Sequence, residues 1–264
     1  MGTRKHNEKE YHNKVFAEGT RSVVSKYYAV TRKSTGFYRN YLETHCPNKT
    51  ALEYGCGPES YAFVMARKGT KVIGIDISET AIEQVKELAL KEEAGKNTTF
   101  FVMDAEALDF ETAQFDLICG TGILHHLDLP KAYSELARTL KPDGSAIFIE
   151  PLGHNPFIRL YRWLTPKLRT ADEHPLLMRD LQLCRQYFGA IETRHFHLFS
   201  LLTVPFRNLP GFEGLLTCFE KLDQFVFKLC PPLRRCSWMV ILILSQPKPT
   251  RKFLPSEKVS GEGV

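Results

Sequence analysis

The chain has 264 residues, of which 43% are hydrophobic and 25% charged. It is long enough to bury a large core without disulfide or metal staples. Glycine (17) and proline (15) are near background, which excludes collagen-like and low-complexity architectures. The seven cysteines are odd in number and form no C-x-x-C pair. That usage suits a reducing, cytoplasmic compartment and argues against a zinc ribbon or disulfide framework. The polar start MGTRKHNEKEYHNK has no apolar h-region, so no secretory signal is expected. The longest apolar run, Trp238–Leu244, is far short of the ~20 residues of a spanning helix.

The formal charge of +5 is unevenly placed: residues 1–49 are net +6, 50–150 net −8 and 151–264 net +7. A nucleic-acid module concentrates positive charge on its reading domain. Here the best-patterned segment is acidic, so no nucleic-acid partner is expected. Basic flanks suit an anionic substrate or a membrane surface, or are ordinary solvated faces.

In chain order, residues 1–49 predict mainly helix, with Val23, Val24, Tyr27 and Tyr28 as an apolar stripe. From 50 to 150, short apolar runs alternate with helical periodicity, as in a parallel α/β sheet. The predicted strands are Ala51–Tyr54, Lys71–Ile75, Thr99–Met103, Phe115–Cys119 and Ser145–Ile149. One helix starts behind Ser78 and another behind Asp128 and Pro130, ending before Pro142 and Gly144. Residues 151–174 read as an irregular, proline-broken insertion, followed by a helix with Leu177, Leu181, Cys184 and Phe188 facing inward. Late strands fall at Ile191–Phe199 and Ser237–Leu244. Between them a second insertion, about 200–235, carries a helix with Phe212, Leu215, Leu216, Phe219, Leu222, Val226 and Leu229 on its apolar face. The polar tail, 245–264, predicts disorder.

Glu53-Tyr54-Gly55-Cys56-Gly57-Pro58 closes the first strand. Its glycines let backbone approach a ligand at the carboxyl end of the sheet. Asp76 ends the second strand, at the spacing from which a carboxylate accepts hydrogen bonds from a ribose diol. The two features in strand–turn–helix–strand order point to a nucleoside-containing cofactor. A dinucleotide site wants G-x-G-x-x-G. Here the last glycine is missing, and Glu59 places negative charge where a pyrophosphate would lie. A cofactor without phosphate avoids that repulsion. After the third strand, Asp104 is placed to accept from an adenine amino group.

These elements, together with Phe115-Asp116-Leu117-Ile118 before Gly120 and with Leu140-Lys141-Pro142-Asp143-Gly144, resemble the class I S-adenosylmethionine-dependent methyltransferases of small-molecule type. The likeness is close over about residues 50–150. It implies a Rossmann-like, seven-stranded, mostly parallel α/β sheet with helices on both faces and an antiparallel last strand. With the elements read above, the chain divides into an N-terminal helical cap (1–49), a methyltransferase domain (50–244) with its two lid insertions, and the tail. By the same resemblance Glu53, Gly55 and Gly57 shape the methionine pocket and Asp76 holds the ribose. Ile77 packs on the adenine, Asp104 and Ala105 meet its edge, and Gly120 lies beside the methionine portion. Many family members have a third glycine where this chain has Glu59, which bears on cofactor affinity.

A sulfonium donor is already activated, so methyl transfer needs mainly proximity and orientation. A general base helps when the acceptor is a hydroxyl or an activated carbon. The candidates are His125 and His126 after the fourth strand, Glu150 at the end of the fifth, and His154 beyond it. For each, capping, packing or loop hydrogen bonding is the competing and more common role, and His174 in the following segment reads as a capping residue of a lid. His195 and His197 share a strand face but lack a third ligand, so no metal site is expected. The apolar second insertion suits lining for an apolar or aromatic acceptor, a lid on the sheet edge, or a peripheral membrane contact. Oligomeric state is left open.

Two other classes compete with this reading. A nicotinamide-dependent oxidoreductase is disfavoured by Glu59 and by the absence of Tyr-x-x-x-Lys near the fourth and fifth strands. A non-catalytic cofactor-binding or assembly factor would suit the altered glycine motif. Methylation of amino groups on macromolecules is disfavoured by Gly120-Thr121-Gly122-Ile123, which stands where Asn/Asp-Pro-Pro-Tyr/Phe would be.

Overall fold

A computed structural model describes residues 3–18, 29–165 and 175–250. In chain order it contains α1 (Thr3–Glu18), α2 (Arg32–His45), β1 (Thr50–Tyr54), α3 (Ala62–Ala66), β2 (Lys71–Asp76), α4 (Glu79–Lys91), β3 (Thr98–Val102), β4 (Phe115–Thr121), α5 (Leu129–Thr139) and β5 (Leu140–Pro151). Then follow α6 (Pro156–Leu164), α7 (Met178–Leu183), β6 (Phe188–Phe196), α8 (Phe212–Leu229) and β7 (Met239–Pro247).

Among the described residues the strands form a seven-stranded sheet in the order β3-β2-β1-β4-β5-β7-β6. The first five pair in parallel, and β7 is antiparallel to both β5 and β6. Parallel strands covered on both faces read as continuous apolar runs, and side-chain alternation then divides each run between two layers. Leu52, Tyr54, Phe148 and Leu242 pack on the α5 side with Tyr133 and Leu136. Ala51, Ile147, Ile149 and Ile241 pack on the other side with Tyr38, Leu42, Met65 and Val85. A smaller cluster joins the insertions, with Ile158 of α6 against Leu201, Val204 and Leu216.

Capping accounts for several helix starts. Ser78 Oγ accepts the Ala81 N–H at 3.1 Å, and Asp128 Oδ1 accepts that of Lys131 at 3.4 Å. Of the insertion read as irregular, the part at Pro156–Leu164 forms α6. Asn155 Oδ1 accepts the Ile158 N–H at 3.0 Å and Pro156 occupies the first turn, a local signal overlooked among the prolines. Strand β6 ends at Phe196, before the reach expected for it, because His197 adopts φ +66°. Phe188 belongs to this strand and not to the preceding helix. Strand β7 runs to Pro247, beyond the predicted start of the tail, and Lys248 N–H donates to Tyr187 O at 2.8 Å. The stripe at 23–28, His174 and residues 251–264 lie outside the described residues.

Helix α8 departs most from its pattern. It buries Leu216, Glu220, Asp223 and Phe227, while Leu222, Phe225 and Leu229 are exposed. Asp223 turns the helix: its carboxylate accepts the N–H groups of Leu198, Phe199 and Ser200 and the Ser200 hydroxyl. Glu220 meets Arg32 of α2 at 3.1 Å. Polar anchoring at a turn overrides the apolar stripe.

Candidate active site

The β1–α3 loop needs glycine at two points. Gly55 (φ +64°) and Gly57 (φ +53°) lie in the left-handed region, which costs other residues roughly 1–2 kcal/mol. A Cβ at Gly55 would also fall 2.8 Å from Ile123 Cδ1, so the glycine lets the β1 and β4 loops touch. Glu53 holds this loop from beneath. Its buried carboxylate accepts the Tyr61 N–H at 2.8 Å, the Ala62 N–H at 3.1 Å and the Ser60 hydroxyl. Burial pushes its pKa up to about 7 against the opposing pull of those hydrogen bonds.

Asp76, at the end of β2, accepts the Gly57 N–H at Oδ2 (3.0 Å) and the Ser78 N–H at Oδ1 (2.9 Å). It therefore ties the glycine loop to the start of α4 while lining a cavity of about 700 Å³. Gly55, Gly57, Ile77, Asp104, Ala105, His125 and His126 line the same cavity, and Glu59 stands exposed at its edge. Asp104 Oδ1 accepts the Glu106 N–H at 2.9 Å, and Tyr54 Oη donates to Ala105 O.

Four predicted site residues are placed differently. Glu53, Gly120, Glu150 and His154 are not among the lining residues. Glu53 supports the loop as described. At Gly120 a Cβ would meet Phe148 and Ile123 within 2.9 Å, so the residue serves packing between β4 and β5; the cavity-facing glycine is Gly122. Glu150 is wholly buried and accepts the N–H groups of Ile123 and Leu124, both at 2.9 Å. Its other oxygen lies 2.8 Å from His125 Nδ1. A carboxylate accepts only, so Nδ1 carries the hydrogen and Nε2 is the nitrogen with a lone pair. Glu150 thus orients His125 from behind. His154 Nε2 accepts the Met178 N–H at 3.4 Å, a loop contact away from the cavity.

His195 and His197 do not form a metal pair. His195 Nδ1 is 3.1 Å from Ser237 Oγ, and His197 Nε2 is 2.9 Å from Ser34 Oγ. Burial lowers their pKa values to about 4 and about 3.

The sequence predicts helix over the N-terminal stretch but not the part that α1 takes in the site. Arg4, Lys5, Glu8, His12 and Phe16 of this helix line the cavity. Arg4 and Lys5 both pair with Glu106, Lys5 also meets Asp104, and Asn13 Oδ1 accepts from Ser78 Oγ at 2.5 Å. Their 3–4 spacing marks one face, but that face is polar, so no apolar stripe announces it. The insertions also exchange roles. Ile158, Tyr161 and Arg162 of α6, with Trp238 just before β7 and Met239 at its start, line the cavity, whereas no residue of α8 does.

The residues fit a nucleoside cofactor without phosphate. Two glycines leave the backbone bare, Asp76 and Asp104 line the cavity at the ends of adjacent strands together with Ile77, and the carboxylates would repel a pyrophosphate. This sheet order with an antiparallel β7 is the class I methyltransferase fold, and S-adenosylmethionine is the cofactor such folds hold.

Residues 52–148 match the model of the methyltransferase domain family. The chain is 36% identical over 115 residues to a demethylmenaquinone methyltransferase of Lactococcus lactis, covering 42% of this chain and 44% of that protein. It is 29% identical over 121 residues to a ubiquinone biosynthesis O-methyltransferase of Acinetobacter baylyi, covering 44% and 50%. The chain thus spans about half the length of the curated relatives it matches. Among solved structures, a geranyl diphosphate C-methyltransferase of Streptomyces coelicolor shares the fold, with TM-score 0.56, 14% identity and coverage of 80% and 79%. No helix among the described residues is long and apolar enough to cross a membrane.

Proposed function

We propose that this chain transfers a methyl group from S-adenosylmethionine to a hydroxyl or activated carbon of a small apolar or aromatic acceptor. The observation that carries the reading is one cavity lined by both Asp76, at the ribose spacing, and His125, oriented by Glu150. Asp76 would accept from the ribose diol, Asp104 and Ala105 would meet the adenine edge, and Gly55 and Gly57 would leave room for the methionine portion. When bound, the cofactor supplies a methyl group already activated on a sulfonium sulfur.

The chain's own residues then position and deprotonate. His125 Nε2 takes the proton of an acceptor hydroxyl while Glu150 keeps the ring in the required tautomer. Ile149, Ile158, Trp238 and Met239 offer an apolar wall for the acceptor and exclude water around it. Lys5 holds Asp104, so a cofactor adenine must share that carboxylate with the ammonium or displace it. The relatives named for menaquinone and ubiquinone biosynthesis, and the fold neighbour named for geranyl diphosphate, support an acceptor with a ring or chain of that apolar character.

The test is calorimetric titration with S-adenosylmethionine, S-adenosylhomocysteine and NAD in parallel, followed by turnover of lipophilic phenols and prenyl compounds. Binding of the first two but not NAD is expected. Asp76→Ala should weaken it by about 1.5–3 kcal/mol for each charge-assisted hydrogen bond lost. Binding of NAD alone, or turnover confined to small polar acceptors, would overturn the reading.

A further inference from the structure

We propose that Glu8, His12 and His126 form a binding site for one divalent metal ion of the zinc type in the wall of the cavity. Glu8 and His12 are one turn apart on α1 and project from the same face. His126 comes from the short 3-10 turn at Leu124–His126, after β4. Glu8 Oε2 lies 3.4 Å from His12 Nε2 and 3.2 Å from His126 Nδ1, and the three atoms lie within 4.8 Å of one another. Tetrahedral coordination with bonds of about 2.0–2.2 Å spaces neighbouring ligands roughly 3.3–3.5 Å apart. Both measured edges agree with that spacing to within a few tenths of an ångström.

Chemistry and setting agree with the geometry. Two imidazoles and one carboxylate are a donor set for zinc-type ions, whereas calcium and magnesium prefer all-oxygen shells. The side chains of Glu8, His126 and His12 are only 7%, 12% and 19% exposed. His126 Nδ1 is buried and makes no hydrogen bond among the described residues. His12 is braced by Phe16, stacked at a centroid distance of 5.7 Å. All three residues line the cavity, so water or an oxygen anion reaching a bound ion as its fourth ligand would come from that side. The ion would also fasten α1 to the loop after β4, across the cavity. In the ion-free alternative, the two imidazoles simply pack as ion-pair neighbours of the Glu8 carboxylate. The site stands apart from the methyl-transfer reading, because it is tested by metal binding without turnover.

The experiment titrates the chelator-stripped full chain with Zn2+ by calorimetry and with Co2+ by visible absorption. One saturable equivalent is expected, with the d–d bands of tetrahedral cobalt and no thiolate charge-transfer band. Glu8→Gln and His126→Ala should each weaken binding by roughly tenfold or more. Replacing the exposed Cys218 and Cys230 with serine should leave binding unchanged. Absence of saturable uptake by the unaltered chain overturns the proposal, as does a thiolate band or an affinity indifferent to the Glu8 and His126 substitutions. The cobalt spectrum of the unaltered chain decides the matter even if a variant loosens α1.

Discussion

Oε2 of Glu150 lies 2.8 Å from Nδ1 of His125, while its Oε1 accepts two backbone N–H groups of the turn that carries that histidine. The carboxylate therefore fixes both the ring and the backbone from which the ring projects. Removing the ring and removing its support should have different kinetic signatures. His125→Ala should lower kcat for a hydroxyl acceptor by roughly 10²–10⁴-fold, the usual worth of a positioned base, with cofactor affinity unchanged. Glu150→Gln should lower kcat with little change in acceptor KM, and Glu150→Asp should restore part of the loss. Steady-state kinetics with calorimetry checks this, and full activity of His125→Ala would remove the base assignment.

Gly55→Ala combines a left-handed φ with a Cβ only 2.8 Å from Ile123 Cδ1. The backbone term alone should cost about 1–2 kcal/mol. A second change, Ile123→Ala, should relieve the steric part but not the conformational part. Thermal melts of the single and double variants separate the two contributions.

Arg138 and Glu135 form a buried pair at 2.7 Å, and Arg138 also donates to the carbonyls of Leu108 and Phe110. Arg138→Met leaves Glu135 without its charge partner and should cost about 3–5 kcal/mol. Replacing both residues with apolar ones should recover much of that loss. Urea denaturation measures each step.

Burial raises the Glu53 pKa to about 7, so the folded chain holds a proton there that the unfolded chain releases near its ordinary 4.5. A raised folded-state value means stability that is present below the unfolded pKa and lost as pH rises through about 7. The shift corresponds to about 3 kcal/mol. Glu53→Gln cannot titrate, so wild type should lose stability relative to this variant between pH 5 and 8. A constant difference across that range would show that Glu53 is ionised throughout.

What could be read in advance was local. Gly55, Gly57, Asp76 and the Ser78 cap lie within one βαβ unit, where each residue's task follows from its neighbours in sequence. The direction of a strand-end side chain is a matter of packing: Glu150 was placed at the right end of β5, but its turn toward Ile123 and Leu124 depends on a loop 26 residues away. The α1 face was invisible for another reason. Its partners Asp104, Glu106 and Ser78 lie far along the chain, and charged side chains at helical spacing look like any solvated surface. In α8 the apolar pattern pointed to the wrong face, because the pull of Asp223 on three backbone N–H groups is not encoded in periodicity.

The placement of β7 has a consequence for how the polypeptide is made. Strand β5 finds its second neighbour only in residues 239–247, and β6 has no partner besides β7 among the described strands. During synthesis the β5 edge must therefore stand open while α6, α7, β6 and α8 emerge from the ribosome. Nascent chains halted before Met239 present an unpaired apolar edge, a known template for mispairing. Folding of this domain is thus gated by its last strand.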